Sequence, residues 1–179
     1  MKKYKTITTA LILVLAAFGC EREDLHYGDS DNPDTPPAPT TDSIYEEPYT
    51  PKEDVEAIAF ATRVNGTWHG SLYSTYVNDY GITVSGTYDT EMTFSQYEAK
   101  SVNGNGREAD YKDGKRQWLM SFTWFVESTG KGGLRLMMKR VDGYELASSV
   151  CRFDGDTLKM ELVGSDGLET CRYVLTSSK

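Results

Sequence analysis

From Gly66 onward the chain is a succession of short runs that alternate apolar and polar residues, each closed by Gly, Asn or Asp. A period of two marks a strand with one buried face. Eight such runs can be counted: Trp68 to Leu72, Val84 to Phe94, Lys100 to Tyr111, Trp118 to Val126, Leu134 to Met138, Glu145 to Phe153, Thr157 to Val163 and Glu169 to Thr176. No link between them is long enough for a crossover helix, so successive runs must pair antiparallel. The expected fold class is all-β, an eight-stranded antiparallel up-and-down barrel, in which closure removes the exposed sheet edges. The clearest run puts Trp118, Met120, Phe122, Trp124 and Val126 on one face. That stripe is bulky enough to fill a small barrel and leave no ligand cavity.

The residues before the barrel have another character. All six prolines lie between Pro33 and Pro51, and residues 21–50 carry nine acids against one Arg. Such a segment buries too little apolar surface to offset its ordering entropy, so residues 20–50 are expected to be a disordered acidic, Pro-rich tether. The remaining 51–179 carry 18 acids and 15 bases, nearly balanced, and form the folding domain. It should open with a short helix over about 51–63, with Thr50 as cap, Pro51 in the first turn and Glu53 completing a capping box. Val55, Ile58, Ala59 and Thr62 follow at helical spacing, and Asn65-Gly66 ends the helix.

Residues 1–19 read as a signal peptide. Lys2, Lys3 and Lys5 precede an apolar run of about twelve residues from Ile7 to Phe18, too short to span a bilayer. Ala17-Phe18-Gly19-Cys20 resembles the lipobox of bacterial lipoproteins. The resemblance implies cleavage before Cys20 and lipidation there, with several acyl chains giving stable anchoring. Glu21-Arg22-Glu23-Asp24 resembles an acidic export signal of some Gram-negative lineages, which implies an outer-membrane protein at the cell surface. Asp42-Ser43-Ile44 resembles an O-glycosylation acceptor of the same bacteria. Membrane contact is expected through the lipid alone.

Gly66-Thr67-Trp68, opening the first strand just after the helix, resembles the Gly-x-Trp start of lipocalin and calycin barrels, in which the Trp plugs the closed end. With the eight runs, residues 55–176 resemble the lipocalin-like domains of small bacterial lipoproteins. The resemblance implies an Arg beside Trp68, for which Arg152 and Arg172 are the candidates, and a binding role.

The cysteines allow a register argument. Asp154-Gly155 is a strong two-residue hairpin signal. It would set Cys151 opposite Leu158, and a Val163–Leu168 pairing would set Cys171 opposite Met160. Both thiols would face inward, two strands apart, about 10 Å laterally and beyond disulfide reach.

The chemistry is sparse. A net charge of −8 and no Lys/Arg cluster argue against nucleic acid as a partner. Two His and three Cys leave no metal site to expect, and no motif calls for a cofactor. His69, next to Trp68, should point to solvent. No Ser sits in a nucleophile elbow, so an enzyme is not expected. Glu108 and Asp110 share a strand face; paired carboxylates can serve acid–base chemistry, and solvated strand positions explain them as well. Asn103-Gly104-Asn105-Gly106 suggests a bulge or tight bend. Tyr73, Tyr76, Tyr80 and Tyr88 crowd the first hairpin, and tyrosine suits glycan or protein contacts. The candidate ligand-binding set is Trp68, Tyr73, Tyr76, Tyr80, Trp118 and Trp124. Two roles stand open: a binding module for a small apolar ligand or a glycan, and a filled barrel that offers its surface to an envelope protein.

Overall fold

The computed structural model describes residues 43–129 and 133–178. The signal segment, Cys20 and the tether up to residue 42 lie outside the described residues, as does Asp42 of the glycosylation match. Among the described residues two helices, α1 (Ser43–Glu46) and α2 (Val55–Val64), precede eight strands. These are β1 (Gly66–Val77), β2 (Thr83–Gln96), β3 (Asn103–Lys112), β4 (Lys115–Ser128), β5 (Leu134–Arg140), β6 (Glu145–Asp154), β7 (Thr157–Gly164) and β8 (Glu169–Ser177). Each strand pairs antiparallel with the next, and β1 pairs with β8 to close the barrel. This is the expected eight-stranded up-and-down barrel.

The helix start is corrected. Asp54, not Thr50, caps α2: its carboxylate accepts from the Ala57 N–H at 2.9 Å. The same carboxylate accepts from the Ser128 hydroxyl at 2.7 Å and from the Ser128 N–H at 3.2 Å. One side chain thus caps the helix and fixes it to the end of β4, which an isolated capping box at Thr50 would not do. Phe60, Ala61 and Val64 of α2 are buried under the barrel end where β1 begins. There the Trp68 indole N–H donates to the Val64 carbonyl at 2.7 Å.

The tether was expected to reach residue 50, yet its last residues belong to the fold. Tyr45 is buried, and its carbonyl accepts from the Tyr97 hydroxyl at 2.7 Å. The Asn103 side chain accepts from the Tyr49 N–H at 2.9 Å and donates to the Glu47 carbonyl at 2.6 Å. Tyr49 lies against Phe125, with ring centroids 6.1 Å apart. Phe125 points away from the interior side chains of β4, and this cover explains why Trp124, Phe125 and Val126 are buried in succession.

The Asn103–Gly106 stretch holds no bulge. β3 pairs continuously there with both β2 and β4. The glycine at 106 serves close packing instead: a Cβ would lie 2.2 Å from the Phe122 ring and 2.6 Å from the Thr93 carbonyl oxygen.

The last hairpins are each displaced by two residues from expectation. Asp154 pairs with Thr157, with Gly155 at φ +57° in the turn, so Cys151 faces Met160. Cys171 faces Leu162. Because both shifts are even, the expected faces and the two-strand separation survive, and both thiols are free.

A cavity in the mouth half of the barrel as candidate functional site

The barrel is filled at one end and open at the other. At the α2 end, Trp124 packs edge-on to Phe94 with centroids 5.9 Å apart, and Phe94 meets Phe122 at 5.5 Å. Leu136, Met138, Leu158 and Leu175 complete this layer with almost no exposure. Trp68 and Trp124, both named as ligand candidates, belong to this packed end. The Trp124 N–H donates to the Asn105 carbonyl at 2.9 Å. The bulky stripe therefore fills half of the barrel, and not all of it.

The Arg expected beside Trp68 is neither of the two candidates among the described contacts. The ring next to Trp68 is Phe153, at 5.8 Å, and the Arg63 guanidinium of α2 lies over Phe153 at 3.9 Å. Arg172 instead pairs with Glu161 at 2.6 Å on the outside. His69 also faces out, 3.5 Å from Glu91, as expected.

Above the packed layer lies a cavity of about 470 Å³, reached from the end that carries the β1–β2, β3–β4, β5–β6 and β7–β8 turns. Its wall includes Leu72, Tyr76, Tyr88, Trp118, Met120 and Leu168. Trp118 is 43% exposed at the mouth, in edge contact with Tyr88 at 5.0 Å. Of the six candidates, the structure brings Tyr76 and Trp118 to this cavity. Tyr73 is exposed and paired with Arg172 across β1–β8, on the outward parity of β1. Tyr80 is 87% exposed on a loop held by Asn78, whose side-chain oxygen accepts from the N–H groups of Tyr80 and Ile82, each at 3.0 Å.

The cavity floor is polar, and it corrects the reading of Glu108 and Asp110 as solvated. They are 3% and 2% exposed and line the cavity. The Tyr173 hydroxyl donates to Glu108 Oε1 at 2.9 Å, and the Thr90 hydroxyl donates to Asp110. Beside them Arg140 holds Glu169 through two parallel bonds of 2.9 and 2.7 Å. The Cys171 thiol donates to the same Glu169 at 3.2 Å. Burial, and then the neighbouring Asp110, pushes Glu108 up to about 8. Burial raises Asp110 as well. Burial, and then the charge of Glu169, drives the Cys171 thiol up to about 12, which leaves it a neutral donor and a poor nucleophile. Two buried carboxyls, an ion-paired guanidinium and an aromatic wall thus share one cleft, which offers both apolar surface and polar groups to a small molecule.

No protein-family model matches the chain. No curated protein matches it. One similar solved structure is a de novo designed fluorescence-activating β-barrel, with 15% identity and a TM-score of 0.43 over 66% of this chain and 96% of that one.

Proposed function

We propose that the barrel is a non-enzymatic binding module for a small ligand, which enters at the mouth and lies between the Trp118–Tyr88 wall and the Glu108–Asp110 floor. The observation that carries this reading is the cavity itself. A barrel whose task is to offer an outer surface has no need of about 470 Å³ of interior lined by buried polar groups that converge on one point. The module is carried on a lipid attached to Cys20, at the outer membrane and on the cell surface. The lipobox-like Ala17-Phe18-Gly19-Cys20 and the acids that follow support this placement. The lipocalin-like reading is supported by Trp68 at the plugged end and by the up-and-down closure.

The test is a titration with N-phenyl-1-naphthylamine, a neutral dye that brightens in apolar cavities. The native protein is expected to bind one dye per barrel. Ser74→Phe, which puts a ring into the cavity from β1, is expected to abolish the response while the fold persists by circular dichroism. Equal brightening in both proteins would place the dye elsewhere and remove this support.

A further inference from the structure

We infer that the ligand of this cavity is an amine: a protonated ammonium group on the carboxyl floor, carried by an apolar or aromatic body against the wall. The inference rests on the binding reading above and names the class of ligand. Around Glu108 and Asp110 stand Tyr88 and Thr90 from β2, Arg140 from β5, and Glu169, Cys171 and Tyr173 from β8. Arg140 is the one cation among the described residues that line the cavity, and both its terminal nitrogens are engaged by Glu169. Lys112, two residues beyond Asp110 on β3, is an exposed side chain at the rim and not among the lining residues, with its Nζ 5.9 Å from the Tyr88 ring. The floor therefore holds three carboxyl groups and one guanidinium, and two more carboxylates, Asp142 and Asp166, line the mouth.

A buried carboxylate is tolerated when it is paired, and otherwise takes up a proton. Among the described contacts Glu108 and Asp110 each accept from one hydroxyl, and the guanidinium that acts on both, Arg140, spends its hydrogen bonds on Glu169, so burial outweighs its charge and protonation is favoured. An ammonium group placed between them supplies the missing charge and several donors in a site of low dielectric. Trp118 and Tyr88 add attraction for a cation passing the mouth and stacking for the apolar body. An anionic ligand would meet the carboxylates of Asp142 and Asp166 at the mouth and would have to take Arg140 from Glu169. A neutral ligand would leave the carboxyls as they are.

The experiment is calorimetric titration of the full chain at pH 7 with three molecules that share one body: 4-phenylbutylamine, 4-phenylbutanol and 4-phenylbutyrate. The amine is expected to bind at least about tenfold tighter than the alcohol, with the carboxylate weakest. Amine binding is also expected to release protons, seen as a binding heat that varies with the ionisation enthalpy of the buffer, whereas alcohol binding releases none. Asp110→Asn and Glu108→Gln keep acceptors for Thr90 and Tyr173, and each should bring the amine down to within about threefold of the alcohol. If either variant fails to fold, the head-group ranking and the proton release of the native protein decide. Alcohol or carboxylate binding as tightly as the amine would overturn the amine assignment and leave the binding module standing. No binding by any of the three at millimolar concentration would overturn both.

Discussion

Glu108 illustrates how burial sets the behaviour of one residue. Its ordinary value of 4.5 is raised to about 8 in the folded protein, chiefly by burial. Between those two pH values the folded state holds a proton that the unfolded chain has released, so stability must fall as pH rises through that window. Asp110 is raised by burial and acts in the same direction. Asp154, held low by the Lys159 ammonium 2.7 Å away, has the opposite sign, but it acts only below the ordinary carboxylate range. Urea unfolding of the native protein is therefore expected to show a falling free energy between pH 5 and pH 8, with a slope of at most about 1.4 kcal/mol per pH unit per proton. Glu108→Gln should make it shallower, leaving the part that Asp110 contributes. An unchanged slope in that variant would mean that Glu108 is already ionised in the folded state. At this same scale the sequence showed the two carboxyls to be on one strand face, and it did not show which face was inside.

The reason lies at the scale of the element. Lys112 pairs with Lys115 and Tyr111 with Arg116 around the Asp113-Gly114 turn, yet Asp110 pairs with Trp118. One residue of β4, Gln117, is bulged out. Without that bulge the inward Trp118 and Met120 would lie opposite Ala109 and Arg107, and both carboxyls would face solvent. With it they lie opposite Asp110 and Glu108. A single extra residue flips every side chain beyond it, and hairpin chemistry gives no warning of it. The two C-terminal hairpins teach the converse: their registers were off by two, an even number, and the faces came out right. Packing accounts for the glycines of β3, where a bend had been the expectation. Gly106→Ala should press on Phe122 and the Thr93 backbone and cost about 1–3 kcal/mol, as a lower urea midpoint with an unchanged m-value. An unaffected midpoint would mean that the β2–β3–β4 seam gives way easily.

At the scale of the whole molecule, strand number, order and closure were legible because alternation and short links leave few other arrangements. The half-filled interior was less legible. The aromatic stripe of β4 reads as continuous, but Trp118 lies at the mouth while Trp124 lies at the plugged end, and only closure assigns them those depths. The attachment of residues 45–49 was hidden by the polar composition that surrounds Tyr45 and Tyr49. What results is a barrel plugged by α2, cut off from solvent below and open above to a cavity with an acidic floor. The most direct measurement is native mass spectrometry of the protein purified from its own source without denaturation. The account predicts a mass that leaves on unfolding, stoichiometric with the barrel and absent from Ser74→Phe, beside a covalent mass on Cys20 that stays. A bare native barrel, with no mass lost on unfolding, would contradict the claim that the cavity is a ligand site.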